Sequence, residues 1–178
     1  MAATAVLILV AGCSDKDEAP PKRGSTSAPS ASQAPTPSGE DDARAQALAV
    51  YDKYRTLQTR LEEGAPFDEA AVAGVATARA VTLLRAVVDD SAREGTIIQG
   101  PPGTRAPRIT TLSLTSTPPS ITLEDCVDIS SRVVVYRENG RPYPVPTQST
   151  RYIKVYTVQQ TTGTWLVSDA RSQRDRTC

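Results

Sequence analysis

The sequence predicts an α+β domain over residues 40–178, with N-terminal helices packed in a strongly curved antiparallel sheet. Three observations carry that expectation. Apolar residues recur at helical spacing between residues 47 and 88. Beyond Gly95 the pattern changes to β-branched and aromatic runs separated by turn residues. Helices first and antiparallel strands afterwards is the order of an α+β fold, here with the sheet wrapped around a long helix.

Each element has a local reason. Ser38-Gly39-Glu40-Asp41 opens the first helix, with a Ser cap and early acidic residues at the positive end of the dipole. Ala47, Val50, Tyr51, Tyr54, Leu57 and Leu61 form its apolar seam, and Gly64 supplies a stop. Asp68 can cap a short turn running to Val75. Ala78, Val81, Leu84 and Val88 make a second stripe that ends near Glu94-Gly95. Strands are expected at 96–98, 109–114, 121–129, 133–136, 152–158 and 165–167. Asn139-Gly140 is a strong two-residue hairpin signal, and Thr162-Gly163 closes another. Pro142, Pro144 and Pro146 delay the next strand, because each removes a ladder donor.

The N-terminus carries different information. Val6-Leu7-Ile8-Leu9-Val10 is too short to span a bilayer but long enough for the apolar region of a secretory signal. With Ala11-Gly12-Cys13 the segment resembles a bacterial lipobox, Val10 standing where Leu is usual. That resemblance implies cleavage before Cys13, a diacylglycerol thioether on Cys13 and residues 1–12 as signal peptide. Two acyl chains suffice for stable anchoring, at about 0.8 kcal/mol per buried CH₂. No Lys or Arg precedes the apolar run, so a start upstream of Met1 stays open. The alternatives are an ordinary cleaved signal or a buried strand with an incidental Cys. Residues 13–39 then form the lipidated Cys and a disordered tether of Pro, Ser, Ala, Gly and Thr. Its reach is roughly 25–30 Å as a coil.

Composition excludes several classes. The 178 residues hold 20 Lys+Arg against 20 Asp+Glu, which argues against an electrostatic nucleic-acid binder. The absence of His removes imidazole triads, His-ligated zinc and His pH switches. No cofactor and no metal are implied. Of three Cys, Cys126 and Cys178 remain once Cys13 carries lipid, and an even pair in an exported chain reads as a disulfide. Closing a loop of about 52 residues would stabilise by roughly 4 kcal/mol and pin the polar tail from Arg171 to Thr177. A free thiol or an intermolecular bridge are the other outcomes. Neither Cys is expected to be a nucleophile, since no His could activate it.

The lipobox, the tether, Tyr51 and Tyr54 on the first helix, Asp125-Cys126 with Asp128, the Trp165 strand and the terminal Cys178 together resemble exported lipoproteins of high-GC Gram-positive bacteria. Arg outnumbering Lys is consistent with a GC-rich coding sequence. In layout, residues 40–178 resemble the NTF2-like (SnoaL-like, cystatin-like cone) superfamily. The resemblance implies a membrane partner through the anchor, a location on the extracytoplasmic face, and a cone able to hold a ligand. It supplies no catalytic residue.

Gly100-Pro101-Pro102-Gly103-Thr104-Arg105 begins like a phosphate loop but lacks the Gly-Lys-Ser/Thr ending, so it reads as a turn. In the run Ile121 to Ile129, Ile121, Leu123, Val127 and Ile129 alternate onto one face, with Asp125 in its middle. Desolvation of an inward carboxylate suits it to proton transfer, the type of chemistry found in steroid isomerases of the resembled fold. The plainer reading is that Asp125 accepts structural hydrogen bonds. Tyr54, Tyr156 and Trp165 are candidates for the pocket mouth, with core packing as the default for large aromatics. Glu62-Glu63 and Asp89-Asp90 read as solvated helix faces, and Arg171, Arg174 and Arg176 as a solvated tail diluted by Asp169 and Asp175. Three functions follow as expectations. The first is a non-catalytic module that binds a ligand, a cell-wall fragment or a protein partner. The second is an isomerase or dehydratase with Asp125 as base, and the third a self-associating homodimer.

Overall fold

The computed structural model describes residues 37–104 and 106–178. The signal segment, Cys13 and the tether up to residue 36 lie outside the described residues. Helix α1 (Pro37–Glu62) begins with Pro at its first turn, where the missing N–H costs nothing. Ala43, Ala47, Val50, Tyr51, Tyr54 and Leu61 are its buried stripe. Helix α2 (Glu69–Ala73) is capped by Asp68, whose Oδ1 accepts from the Ala71 N–H at 3.0 Å. Helix α3 (Ala78–Glu94) buries Ala80, Val81 and Leu84 and ends at Gly95 in the left-handed region. Among the described residues no helix is long and apolar enough to cross a membrane.

Among the described residues seven strands follow: β1 (Thr96–Gln99), β2 (Gly103–Thr104), β3 (Arg108–Ser113), β4 (Ser120–Asp128), β5 (Val133–Tyr136), β6 (Arg151–Thr161) and β7 (Thr164–Gln173). β4, β6 and β7 are antiparallel neighbours, and the outer edge of β4 is shared by β2 and β3 in a five-stranded sheet. β1 and β5 form a separate two-stranded ribbon. The β6–β7 turn is made by Thr162 and Gly163, both at positive φ, the backbone that a two-residue hairpin requires. Asn139-Gly140 also forms a turn, with its Gly140 N–H donating to Tyr136 O, but the chain beyond it adds only a bridge from Pro142 to Val135. The prolines keep that return segment out of a ladder.

This arrangement corrects the expected fold class. The sheets are open, neither curled nor closed, so the strongly curved NTF2-like cone is not formed. The physical reason lies in strand partners. Val133–Tyr136 leaves the main sheet to pair with Thr96–Gln99, and the free edge of β4 is covered by two short strands instead of a continuous one. One core nonetheless lies between the helices and the main sheet. Tyr51, Tyr54, Ile121, Leu123, Tyr156, Val158, Trp165 and Val167 pack together with α2 and α3 residues between helices and sheet.

Cys126, on the outward face of β4, is bonded to Cys178. The tail beyond β7 is held as well. Ile153 N–H donates to Arg176 O at 2.9 Å, and Arg176 Nη1 donates to Glu124 Oε1 at 2.8 Å. Arg171 pairs with Asp169, and the Arg174 guanidinium lies 4.4 Å from the Tyr152 ring centroid. The three arginines are exposed, as expected of a solvated tail, but each also has a partner, because β7 runs to Gln173 and the Cys126–Cys178 bridge holds the residues beyond it.

Candidate functional site

Beneath α1 the core turns polar. Along β4 the inward side chains are Ile121, Leu123, Asp125 and Val127, and along β6 they are Tyr152, Lys154, Tyr156 and Val158. Register puts Asp125 directly opposite Lys154. Asp125 is 1% exposed and Lys154 8%. Burying two such groups is costly unless each is satisfied, and α1 supplies a partner for both. Tyr51 Oη donates to Asp125 Oδ2 at 2.6 Å. Lys154 Nζ donates to Gln58 Oε1 at 3.2 Å and lies 5.4 Å from the Tyr156 ring centroid.

Helical spacing extends this network along α1. Tyr51, Arg55, Gln58 and Glu62 are separated by four, three and four residues, so they share one side of the helix. Arg55 Nη1 reaches Gln58 Oε1 at 3.4 Å, and Gln58 Nε2 donates to Glu62 Oε1 at 2.8 Å. Glu62 then pairs with Arg132 Nη2 at 2.8 Å, the side chains being 12% and 10% exposed. Glu62 is thus not the solvated face that its sequence neighbourhood suggested, because Arg132 folds over it. Arg132 Nε in turn donates to Gly100 O at 3.0 Å. Gly100 has φ +84°, and a Cβ there would stand 2.6 Å from Ser131 O, so only glycine lets the loop approach this closely.

Burial sets the titration of the network. Lys154 is pushed down to about 8, first by desolvation and then by the Arg55 guanidinium. Tyr54 is raised to about 12 by burial and by the Glu62 carboxylate. Tyr51 and Tyr156 are both raised well above the ordinary phenol range, with burial the leading cause. These phenols stay neutral donors at ordinary pH. Three buried atoms in the cluster have no hydrogen-bond partner among the described residues: Asp125 Oδ1, Tyr156 Oη and Arg55 Nε.

The network reaches the surface at a groove of about 610 Å³. One wall is α1, with Tyr51, Asp52, Arg55, Thr56, Thr59 and Arg60. The other is the loop that carries β2, contributing Pro101, Pro102, Ala106 and Pro107. The Glu62–Arg132–Gly100 relay braces that loop against α1. The loop read as a turn is therefore a groove wall, and β2 within it pairs with Val127 and Asp128.

The expected pocket residues divide. Asp125, Tyr54 and Tyr156 come together under α1, with Tyr54 and Tyr51 both edge-on to Tyr156 at 6.3 and 4.9 Å. None of the three lines the groove. Trp165 stands apart. It pairs with Gln160, six residues along β6 from Lys154, which is roughly 20 Å at strand rise, and it borders a crevice of about 170 Å³ beside the start of α1. Cys13 lies outside the described residues. Sequence reasoning missed Arg55, Gln58 and Lys154 as members of the site. Among the described residues no group of three or more Cys, Asp or Glu could hold a metal ion.

No family model matches the chain, and no curated protein matches it. Among solved structures it is similar to the crystal structure of the intermembrane space region of the chloroplast protein ARC6. The two share 14% identity over 74% of this chain and 95% of that one, with a TM-score of 0.44. A likeness of that size carries no argument about fold or function.

Proposed function

We propose that this protein is an exported, lipid-anchored binding module, non-catalytic, that presents the α1 groove to a small ligand outside the cytoplasmic membrane. The observation that carries the binding reading is the groove itself. Its volume falls within the range of small-molecule sites, and it combines an apolar wall with a few placed polar groups. The Cys126–Cys178 bridge supports the export reading, because such bridges persist in oxidising compartments. The lipobox-like segment ending at Cys13 supports the anchor.

An isomerase or dehydratase with Asp125 as base has less support. A base must come within hydrogen-bond reach of the proton that it takes. Asp125 is sealed behind Tyr51 and forms no part of the groove wall. The binding reading is tested by an amide-resolved NMR fragment screen on the full chain carrying Cys13→Ser. Hits are expected to shift Tyr51, Thr56 and Thr59 together. Hits scattered over the surface, sparing those three, would contradict it.

A further inference from the structure

We infer that the α1 groove accepts a monocarboxylate with an apolar body, and that Arg55 is its counter-ion; this rests on the binding reading above. A guanidinium offers five N–H donors in a planar fork that matches a carboxylate. In Arg55 that fork lies near the Tyr51 hydroxyl and the Asp125 and Glu62 carboxylates but is not locked into a two-pronged pair with either acid. Among the described residues it makes no ion pair, its Nη1 contact to Gln58 Oε1 is long at 3.4 Å, and its Nε has no acceptor. The Gln58 oxygen is already used by Lys154. Neighbouring cations differ: Arg132 is matched by Glu62 and Gly100 O, and Lys154 by Gln58. The remaining donor capacity therefore sits in the one member of the network, besides neutral Tyr51, that lines the groove.

The wall also sets the ligand's charge and body. Among the described lining residues Arg55 and Arg60 stand against Asp52, an excess of one positive charge. A monoanion balances it, whereas a phosphate monoester would bring a second charge toward Asp52. Across the groove Pro101, Pro102, Ala106 and Pro107 offer no side-chain donor or acceptor, so the side of the ligand that meets this wall is apolar. Charge-assisted, two-pronged hydrogen bonds to Arg55 would fix its orientation.

The test is calorimetric titration of the full chain carrying Cys13→Ser with benzoate, benzamide and phenyl phosphate. Benzoate should bind at least tenfold more tightly than benzamide, and more tightly than phenyl phosphate. Arg55→Gln should erase the preference for benzoate over benzamide, and Arg55→Lys should retain part of it. Thermal unfolding of each variant checks that it is folded. Equal binding of benzoate and benzamide would overturn the carboxylate assignment while leaving a binding groove in place. A preference that survives Arg55→Gln, tighter binding of phenyl phosphate, or no binding of any of the three would overturn it as well.

Discussion

Replacing Tyr51 by Phe removes one oxygen from the core and leaves the ring in its edge-on contact with Tyr156. What is lost is the 2.6 Å hydrogen bond to Asp125 Oδ2, in a carboxyl group whose other oxygen is already without a partner. Asp125 is 1% exposed, so solvent does not replace the lost donor. A hydrogen bond to a carboxylate contributes about 1.5–3 kcal/mol, and stranding a buried acceptor adds to that, so a loss of about 2.5 kcal/mol is expected. For a domain of this size that corresponds to a fall of roughly 8 °C in Tm. The double variant Tyr51→Phe with Asp125→Leu removes both partners and should recover to within about 1 kcal/mol of the parent. Guanidinium unfolding followed by Trp165, the single Trp and a buried one, measures all three states. A Tyr51→Phe loss below about 0.5 kcal/mol, or a double variant worse than the single, would refute the claim that this bond makes a buried carboxyl tolerable.

Lys154 gives a pH test with a definite sign. Its folded value of about 8 lies below the unfolded value of about 10.4, so the unfolded chain binds more protons between the two and stability should rise with pH across that window, by up to roughly 3 kcal/mol. Above pH 10 the trend should reverse, because Tyr51, Tyr54 and Tyr156 keep protons in the folded state that the unfolded chain releases. Unfolding at pH 7.5 and 9.5 should show the rise in the parent and lose it in Lys154→Met, whereas a flat parent would contradict the burial argument. Reduction of Cys126–Cys178 should cost roughly 4 kcal/mol, and Cys126→Ser with Cys178→Ser should match it; a Tm unchanged by reductant would mean that the bridge does not restrict the unfolded chain. Arg132→Met leaves the Glu62 carboxylate with only the Gln58 amide and should cost about 3 kcal/mol while speeding hydrogen exchange at the Gly100 and Gly103 amides; unchanged exchange there would show that the relay does not brace the groove wall.

What the sequence made legible was local. The seam of α1, the Asp68 cap, the Gly95 stop and the Thr162-Gly163 turn all follow from spacing and turn chemistry. The cone expectation failed because spacing does not say which strands pair, and Val133–Tyr136 takes β1 as its partner. β2 was invisible because two residues, Gly103 and Thr104, pair only through tertiary placement beside β4. Asp125 could be placed on the inward face by alternation alone, although not its link to Tyr51. Lys154 and Gln58 carried similar signals that polarity masked. Lys154 alternates with Tyr152 and Tyr156, and Gln58 sits four residues after Tyr54 and three before Leu61, on the buried stripe. Arg55 was not readable, since a cation beside the buried stripe of a helix reads as solvated until Pro101, Pro102, Ala106 and Pro107 are seen to face it.

The most direct test of a membrane-anchored binding module is mass spectrometry of the native N-terminal peptide taken from the membrane fraction. The account predicts a peptide that begins at Cys13 and carries a diacylglycerol on its sulfur. A peptide that still contains residues 1–12 with an unmodified Cys13 thiol would contradict it.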